Sequence, residues 1–319
     1  MHTLYPAIKP FACHNLPVTK PHVLYVEETG NPTGVPVIVL HSGPGGGSEA
    51  HLRRFFDPQF YRIIIFDQRG CGLSTPHTEL ANNTTAHLIE DIEAIREALQ
   101  LERFVLFGGG WGSTLALLYA ERYPQQVRAL LLHQVYLARQ QDIDWFYKRG
   151  ASLIYPDYWQ EFTHLVPTDN QDNIPAYYTQ LLQGENELAR MSAAKNWALW
   201  QARCSSLQPH TNVIDRYSDP HFALCIAQLE LHYINNHYFI EENQIIANTH
   251  KIRHIPCFII HGRYDMVCPL AGAWSLNSAL ISSKLRIIRD AGHSDCEPGI
   301  IDALIDASKE ILKQDLEAS

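Results

Sequence analysis

The chain has 319 residues, 46% of them hydrophobic and 18% charged, with a formal net charge of −9. That length buries a large core and fits one α/β domain, or one domain carrying a sizeable insertion. The acidic balance argues against nucleic acid or an anionic membrane surface as partner and favours small molecules or peptides. Met1–Phe11 has no basic stretch followed by an apolar run, and apolar runs such as Val37–Leu40 are strand-sized, too short to span a bilayer. Seven cysteines at scattered spacings suggest reduced thiols, so the expected compartment is the cytoplasm.

In chain order, His22–Thr29 alternates in polarity and meets a turn at Gly30–Gly34 before the apolar run Val37–Leu40. These two runs are expected to pair antiparallel at the start of a sheet. Arg62–Phe66 is a buried strand, and Thr84 or Thr85 caps a helix whose Leu88, Ile92, Ile95 and Leu99 recur at helical spacing. Phe104–Phe107 and Ala129–Leu132 are strands flanking a second helix. Short β-branched runs alternating with helical periodicity predict a largely parallel sheet. From 135 to 248 the pattern changes to aromatic, helical stretches punctuated by Pro156, Pro167, Pro175, Pro209 and Pro220. Strand and helix alternation resumes at Pro256–Ile260 and Leu285–Ile288 and ends in a helix near 298–314. The expected architecture is an α/β core, 1–134 and 249–319, interrupted by an all-helical insertion at 135–248.

Four segments place turn residues directly after strands, where open α/β sheets hold ligands. His41-Ser-Gly-Pro-Gly-Gly-Gly47 is glycine-rich, which lets backbone N–H groups face a developing oxyanion. No Gly-Lys-Ser/Thr follows, so it is a weak phosphate cradle. Asp67-Gln-Arg-Gly-Cys-Gly-Leu-Ser74 is expected to hold a buried Asp67–Arg69 network bracing the site. Phe107-Gly-Gly-Gly-Trp-Gly-Ser-Thr-Leu-Ala-Leu117 is framed as a nucleophile elbow, Gly-x-Ser-x-Gly, with the small residues Gly108 and Gly112 on either side of position 110. Yet position 110 is itself glycine. The N–H of Trp111 is expected to complete an oxyanion hole with that of Gly43, and Ser113, inside the helix, to point away as a packing or hydrogen-bonding residue. Asp265 and His293 each follow a strand, in the order nucleophile, acid, histidine found in α/β hydrolases. His293 would be the general base and Asp265 the group fixing its tautomer. Cys257, His261 and Cys268 lack metal-ligand spacing.

Together these segments resemble the proline iminopeptidases, serine peptidases with an α/β-hydrolase core and a helical cap. The resemblance runs through residues 41–47, 67–74, 81–85, 108–117, 144–147, 184–200, 229–233, 262–269 and 291–293. It implies release of N-terminal proline from small peptides by acyl-enzyme chemistry, with no metal or organic cofactor. It further implies that Glu230 and the residue at 201 receive the substrate amine, and that Tyr147 and Cys268 line the proline-ring pocket. This chain departs from the family pattern at several of these positions. Gly110 stands in place of the serine, Ser42 in place of a glycine and Gln201 in place of a glutamate; His133–Tyr136 replaces an Arg-Gly-Ile-Phe-like run, and Ile234 an aromatic. Two readings follow: an aminopeptidase crippled at its nucleophile, or a non-catalytic protein that binds Pro-peptides or another small ligand. A sister hydrolase with a carboxylate nucleophile is disfavoured, since Gly110 offers none.

Overall fold

The computed structural model describes residues 1–207 and 211–318, so Pro209 lies outside the described residues. Eight strands form one sheet: β1 (Ala12–Pro17), β2 (Val23–Gly30), β3 (Val35–Leu40), β4 (Tyr61–Phe66), β5 (Phe104–Gly109), β6 (Val127–His133), β7 (Cys257–Gly262) and β8 (Ser283–Ile288). Their spatial order is β1-β2-β4-β3-β5-β6-β7-β8. From β4 through β8 neighbours run parallel, whereas β1–β2 and β2–β4 are antiparallel.

The expected pairing of the second and third strands does not occur, because β4 inserts between them. The reason lies in its sequence. Ile63, Ile64 and Ile65 are all buried, so β4 needs apolar cover on both faces, which an interior position gives it. β1 has no β-branched or aromatic residue and was not legible as a strand.

Alternation along the strands divides the sheet into two apolar layers. Ile38, Ile64, Phe104 and Leu106 face one cluster with α1 (Thr85–Ala98) and α2 (Trp111–Arg122). Val37, Val39, Ile63, Ile65, Val105 and Phe107 face the other, which is covered by the C-terminal helix Pro298–Ala318.

Between β6 and β7 the described residues hold helices and no strand: α3 (Gln140–Tyr147), α4 (Ala151–Ile154), α5 (Pro156–Thr163), α6 (Ile174–Gln183), α7 (Glu187–Cys204), α8 (Thr211–Ser218), α9 (Pro220–Asn235), α10 (Gln244–Ala247) and α11 (Thr249–Ile252). Pro156, Pro175 and Pro220 sit in the first turns of α5, α6 and α9, where a missing N–H costs nothing. After β7 come α12 (Leu270–Ala279) and α13 (Pro298–Ala318). The inserted helices have no core of their own. Trp197, Trp200, Phe162 and Tyr178 belong to the same apolar cluster as Leu106 and Leu115. Among the described residues, no helix is long and apolar enough to cross a membrane.

One buried ion pair ties the loop after β4 to α1. Arg69 meets Asp91 of α1 through Nε at 2.7 Å and Nη2 at 2.5 Å, both side chains being 1% exposed. This corrects the expected Asp67–Arg69 network. Asp67 instead accepts from the Ser48 N–H and hydroxyl and from the Leu73 N–H, tying down the two loops around it. Asp91→Ala would strand a buried guanidinium, so the unfolding free energy should fall by about 3–5 kcal/mol, read from the urea midpoint. A loss below about 1 kcal/mol would show that water or other partners carry Arg69.

Candidate active site

The turn from β5 into α2 keeps the shape of an elbow although no side chain stands at its apex. Gly110 adopts φ 54°, ψ −123° just before the first residue of α2, a conformation strained for any residue with a Cβ. The helix lies close against the sheet: a Cβ on Gly112 would come within 2.1 Å of the Leu40 carbonyl oxygen. Small residues beside position 110 are therefore a packing requirement, as anticipated for Gly108 and Gly112. Ser113 is fully buried, donates to the Gly110 carbonyl at 2.7 Å and accepts from the Tyr136 N–H at 3.1 Å. It points away from the apex, as expected.

The loops after β7 and β8 bring Asp265 and His293 together. His293 Nδ1 lies 3.0 Å from Asp265 Oδ1 and 2.9 Å from Oδ2. Burial alone would raise the Asp265 pKa, but the charge and hydrogen bond of His293, with the Cys268 N–H at 2.8 Å, outweigh it and hold the carboxyl below its usual value. An ionised carboxylate only accepts, so Nδ1 carries the hydrogen and Nε2 is left as the acceptor, the tautomer a general base needs.

His293, Gly43, Gly110, Trp111, Tyr147, Gln201, Glu230 and Cys268 all border one cavity, with Asp265 behind His293. Neither the Gly43 nor the Trp111 N–H has an acceptor among the described residues. The Trp111 N–H is one of the unsatisfied donors of the first turn of α2, where the helix dipole favours negative charge.

A residue that the sequence reading passed over locks these two segments together. The Gln68 side chain donates to the His41 carbonyl at 2.9 Å and accepts from the Trp111 indole at 3.0 Å. Its N–H donates to His41 Nε2 at 3.0 Å. Burial lowers the His41 pKa, which keeps that ring nitrogen an acceptor, while Nδ1 pairs with the Ser42 carbonyl at 2.8 Å. Polar side chains in a glycine-rich turn were the only sequence signal for this brace.

Glu230 of α9, which borders the same cavity, is 5% exposed. Trp197 Nε1 donates to its Oε2 at 2.7 Å, and Gln201 Nε2 donates to the same oxygen and to the Tyr147 hydroxyl. Tyr147 stacks on Trp197 with ring centroids 4.5 Å apart. Burial pushes the Glu230 pKa up to about 8; the bonds from Trp197, Gln201 and Tyr147 only partly offset it. Gln201 thus acts as a donor to the carboxyl, where a second carboxylate would repel it.

The rim holds groups that no motif revealed. His51 sits between Asp295, at 3.0 Å, and Glu49, at 3.6 Å. Burial opposes its charge, but bonds to Asp295, Cys296 and Glu49 raise its pKa to about 12. Arg216 of α8 pairs with Glu49 and donates to the Gly46 carbonyl at 2.9 Å, linking the helical insertion to the glycine loop. His133, stacked on Phe107, has a pKa lowered to about 4 by burial. His261 is committed elsewhere: Nδ1 accepts from the Val135 N–H at 3.2 Å, and Nε2 lies 2.8 Å from the Cys268 carbonyl.

Comparison with known proteins places this geometry. Residues 35–299 match the family model described as alpha/beta hydrolase fold. The chain is 45% identical over 309 residues to a proline iminopeptidase of Xylella fastidiosa, covering 97% of this chain and 99% of that one. The chain belongs to the proline iminopeptidase family of α/β hydrolases. A proline iminopeptidase of Arabidopsis thaliana is 44% identical over 312 residues, covering 97% of this chain and 82% of the relative. That of Neisseria gonorrhoeae is 40% identical over 311 residues, with 97% and 99% covered. Among solved structures, the 2-hydroxy-6-oxo-6-phenylhexa-2,4-dienoate hydrolase of Rhodococcus sp. strain RHA1 superposes with a TM-score of 0.64 at 14% identity, covering 95% of this chain and 98% of that one. An esterase from Rhodococcus sp. ECU1013 gives 0.63 at 14%, with 97% and 99% covered. At such identities these two speak to the fold alone.

The raised Glu230 pKa has a consequence for cationic ligands. Below about pH 8 the carboxyl is mostly protonated, and an ammonium placed against it must displace that proton. Affinity for prolinamide should therefore rise by about tenfold per pH unit between about pH 6 and 7.5, with proton release, and level off towards pH 8. Calorimetry in buffers of different ionisation enthalpy measures both; Glu230→Gln should flatten the slope.

Proposed function

We propose that this chain binds small peptides with an N-terminal proline in the cavity between the sheet and the inserted helices, and that as it stands it hydrolyses them only feebly. The carrying observation is that His293 (paired with Asp265), Gly43 and Trp111 (whose N–H groups have no acceptor among the described residues), the bare apex at Gly110 and Glu230 all border one cavity. In this reading Glu230 and Gln201 hold the proline amine, and Tyr147 and Cys268 flank the ring. The two N–H groups polarise the carbonyl. His293 stands ready to take a proton that position 110 does not supply.

Acyl transfer needs a nucleophile one bond from an elbow Cβ, with its proton facing the base. Loss of that hydroxyl removes several orders of magnitude of rate and leaves what the oxyanion donors and substrate positioning provide. Binding is not subject to that loss. The family likeness supports a prolyl aminopeptidase ancestry for the pocket, and the polar groups lining it favour retained recognition.

Two measurements test this. Calorimetry on the unaltered chain should show saturable binding of prolinamide and Pro-Gly, weakened by Glu230→Ala; no heat with either ligand would refute the binding claim. Gly110→Ser should create hydrolysis of a proline arylamide above that of the unaltered chain. In whichever nucleophile-restored variant turns over fastest, adding His293→Ala should remove about a thousandfold or more. Absence of turnover in every nucleophile-restored variant would sink the peptidase reading.

A further inference from the structure

Three side-chain positions from three separate loops meet at the elbow apex. A Cβ placed on Gly110 would have as its nearest neighbours Ser42 Oγ at 3.2 Å, Ser42 Cβ at 3.6 Å and Gln134 Oε1 at 3.9 Å. Ser42 and Gln134 are themselves among the departures noted in the sequence. The space beside the apex is thus furnished, and what furnishes it is polar.

The hydrogen-bonding state of those groups decides their effect. Ser42 Oγ donates its proton to the Gly109 carbonyl at 2.8 Å, so towards the apex it offers lone pairs. Gln134 Nε2 donates to the His293 carbonyl, and Gln134 Oε1 is buried with no partner among the described residues. Two acceptors therefore border the position where a serine hydroxyl would stand. His293 borders the same cavity. A hydroxyl has one proton, and catalysis requires that proton to face the imidazole. The 3.2 Å approach to Ser42 also crowds any Cβ at 110, whose backbone already favours glycine.

We propose that Ser42, seconded by Gln134, is a positioning residue that sets what position 110 can do: it captures a hydroxyl introduced there and withholds it from His293. Gly110→Ser alone therefore recovers only part of the nucleophilic chemistry, and the rest returns when the Ser42 hydroxyl is removed with it. This rests on the reading of Gly110 as the nucleophile seat. It explains why the apex is a repacked unit and not a single missing group.

The test uses the whole chain and a fluorophosphonate probe, which phosphonylates a hydroxyl only where a base takes its proton. Labelling is followed by intact mass and peptide mapping, with melting curves to verify folding. The unaltered chain and Ser42→Gly should remain unlabelled. Gly110→Ser should label slowly, and Gly110→Ser/Ser42→Gly about tenfold faster or more. His293→Ala should slow the double variant by about a hundredfold or more while changing the single variant far less, a difference that loss of packing would not produce. Should Ser42→Gly unfold the chain, Ser42→Ala in the same background keeps the Cβ and removes the hydroxyl. Equal rates for single and double variants within about twofold overturn the inference alone. Labelling at Ser42 in the unaltered chain overturns it as well, by making Ser42 a nucleophile. No labelling of either restored variant, with prolinamide binding intact, overturns it together with the reading of position 110.

Discussion

The site depends on a single close approach: the first turn of α2 is pressed against the end of β3, where any side chain at Gly112 would strike the Leu40 carbonyl. That contact fixes where the helix begins, and with it the direction of the Trp111 N–H and the tightness of the turn at Gly110. The brace through Gln68, from the His41 loop to the Trp111 indole, holds the second donor segment in register with the first. None of these interactions involves a side chain at 110. The elbow is a backbone object, so it survives the absence of the group it would present.

Chemistry at such a site divides into parts that persist and a part that does not. Asp265 and His293 are paired in the geometry that fixes the imidazole tautomer, and the Gly43 and Trp111 N–H groups have no acceptor among the described residues. Gln201 gives a hydrogen bond to the Glu230 carboxyl, which burial keeps largely protonated near neutral pH.

Much of this was legible in the residues. The strands after which the glycine loop, elbow, acid and histidine follow were marked by β-branched runs, and the order of those segments pointed to the site. Sequence reasoning failed where partners are set by tertiary position. The β2–β3 hairpin was inferred from nearness along the chain, but the all-isoleucine stretch of β4 takes the interior place between them. Arg69 was matched with its sequence neighbour Asp67, yet its fork reaches Asp91 one helix away. His51, Arg216 and Asp295 come from three distant segments, and no spacing rule connects them. The meeting of Ser42, Gly110 and Gln134 was equally invisible, since each lies in a different loop.

The shared apolar cluster separates two kinds of buried residue near the site. Trp197, Trp200, Phe162 and Tyr178 do not line the cavity but belong to the same cluster as the core of the sheet, so folding alone demands them. Glu230, Asp265 and His293 stand in the opposite relation to folding. Ionisable groups taken out of water weaken a fold unless something outside it rewards their presence. The aromatic cluster is therefore architecture, mute about purpose, whereas the sequestered carboxyls and imidazole are what a ligand has to justify.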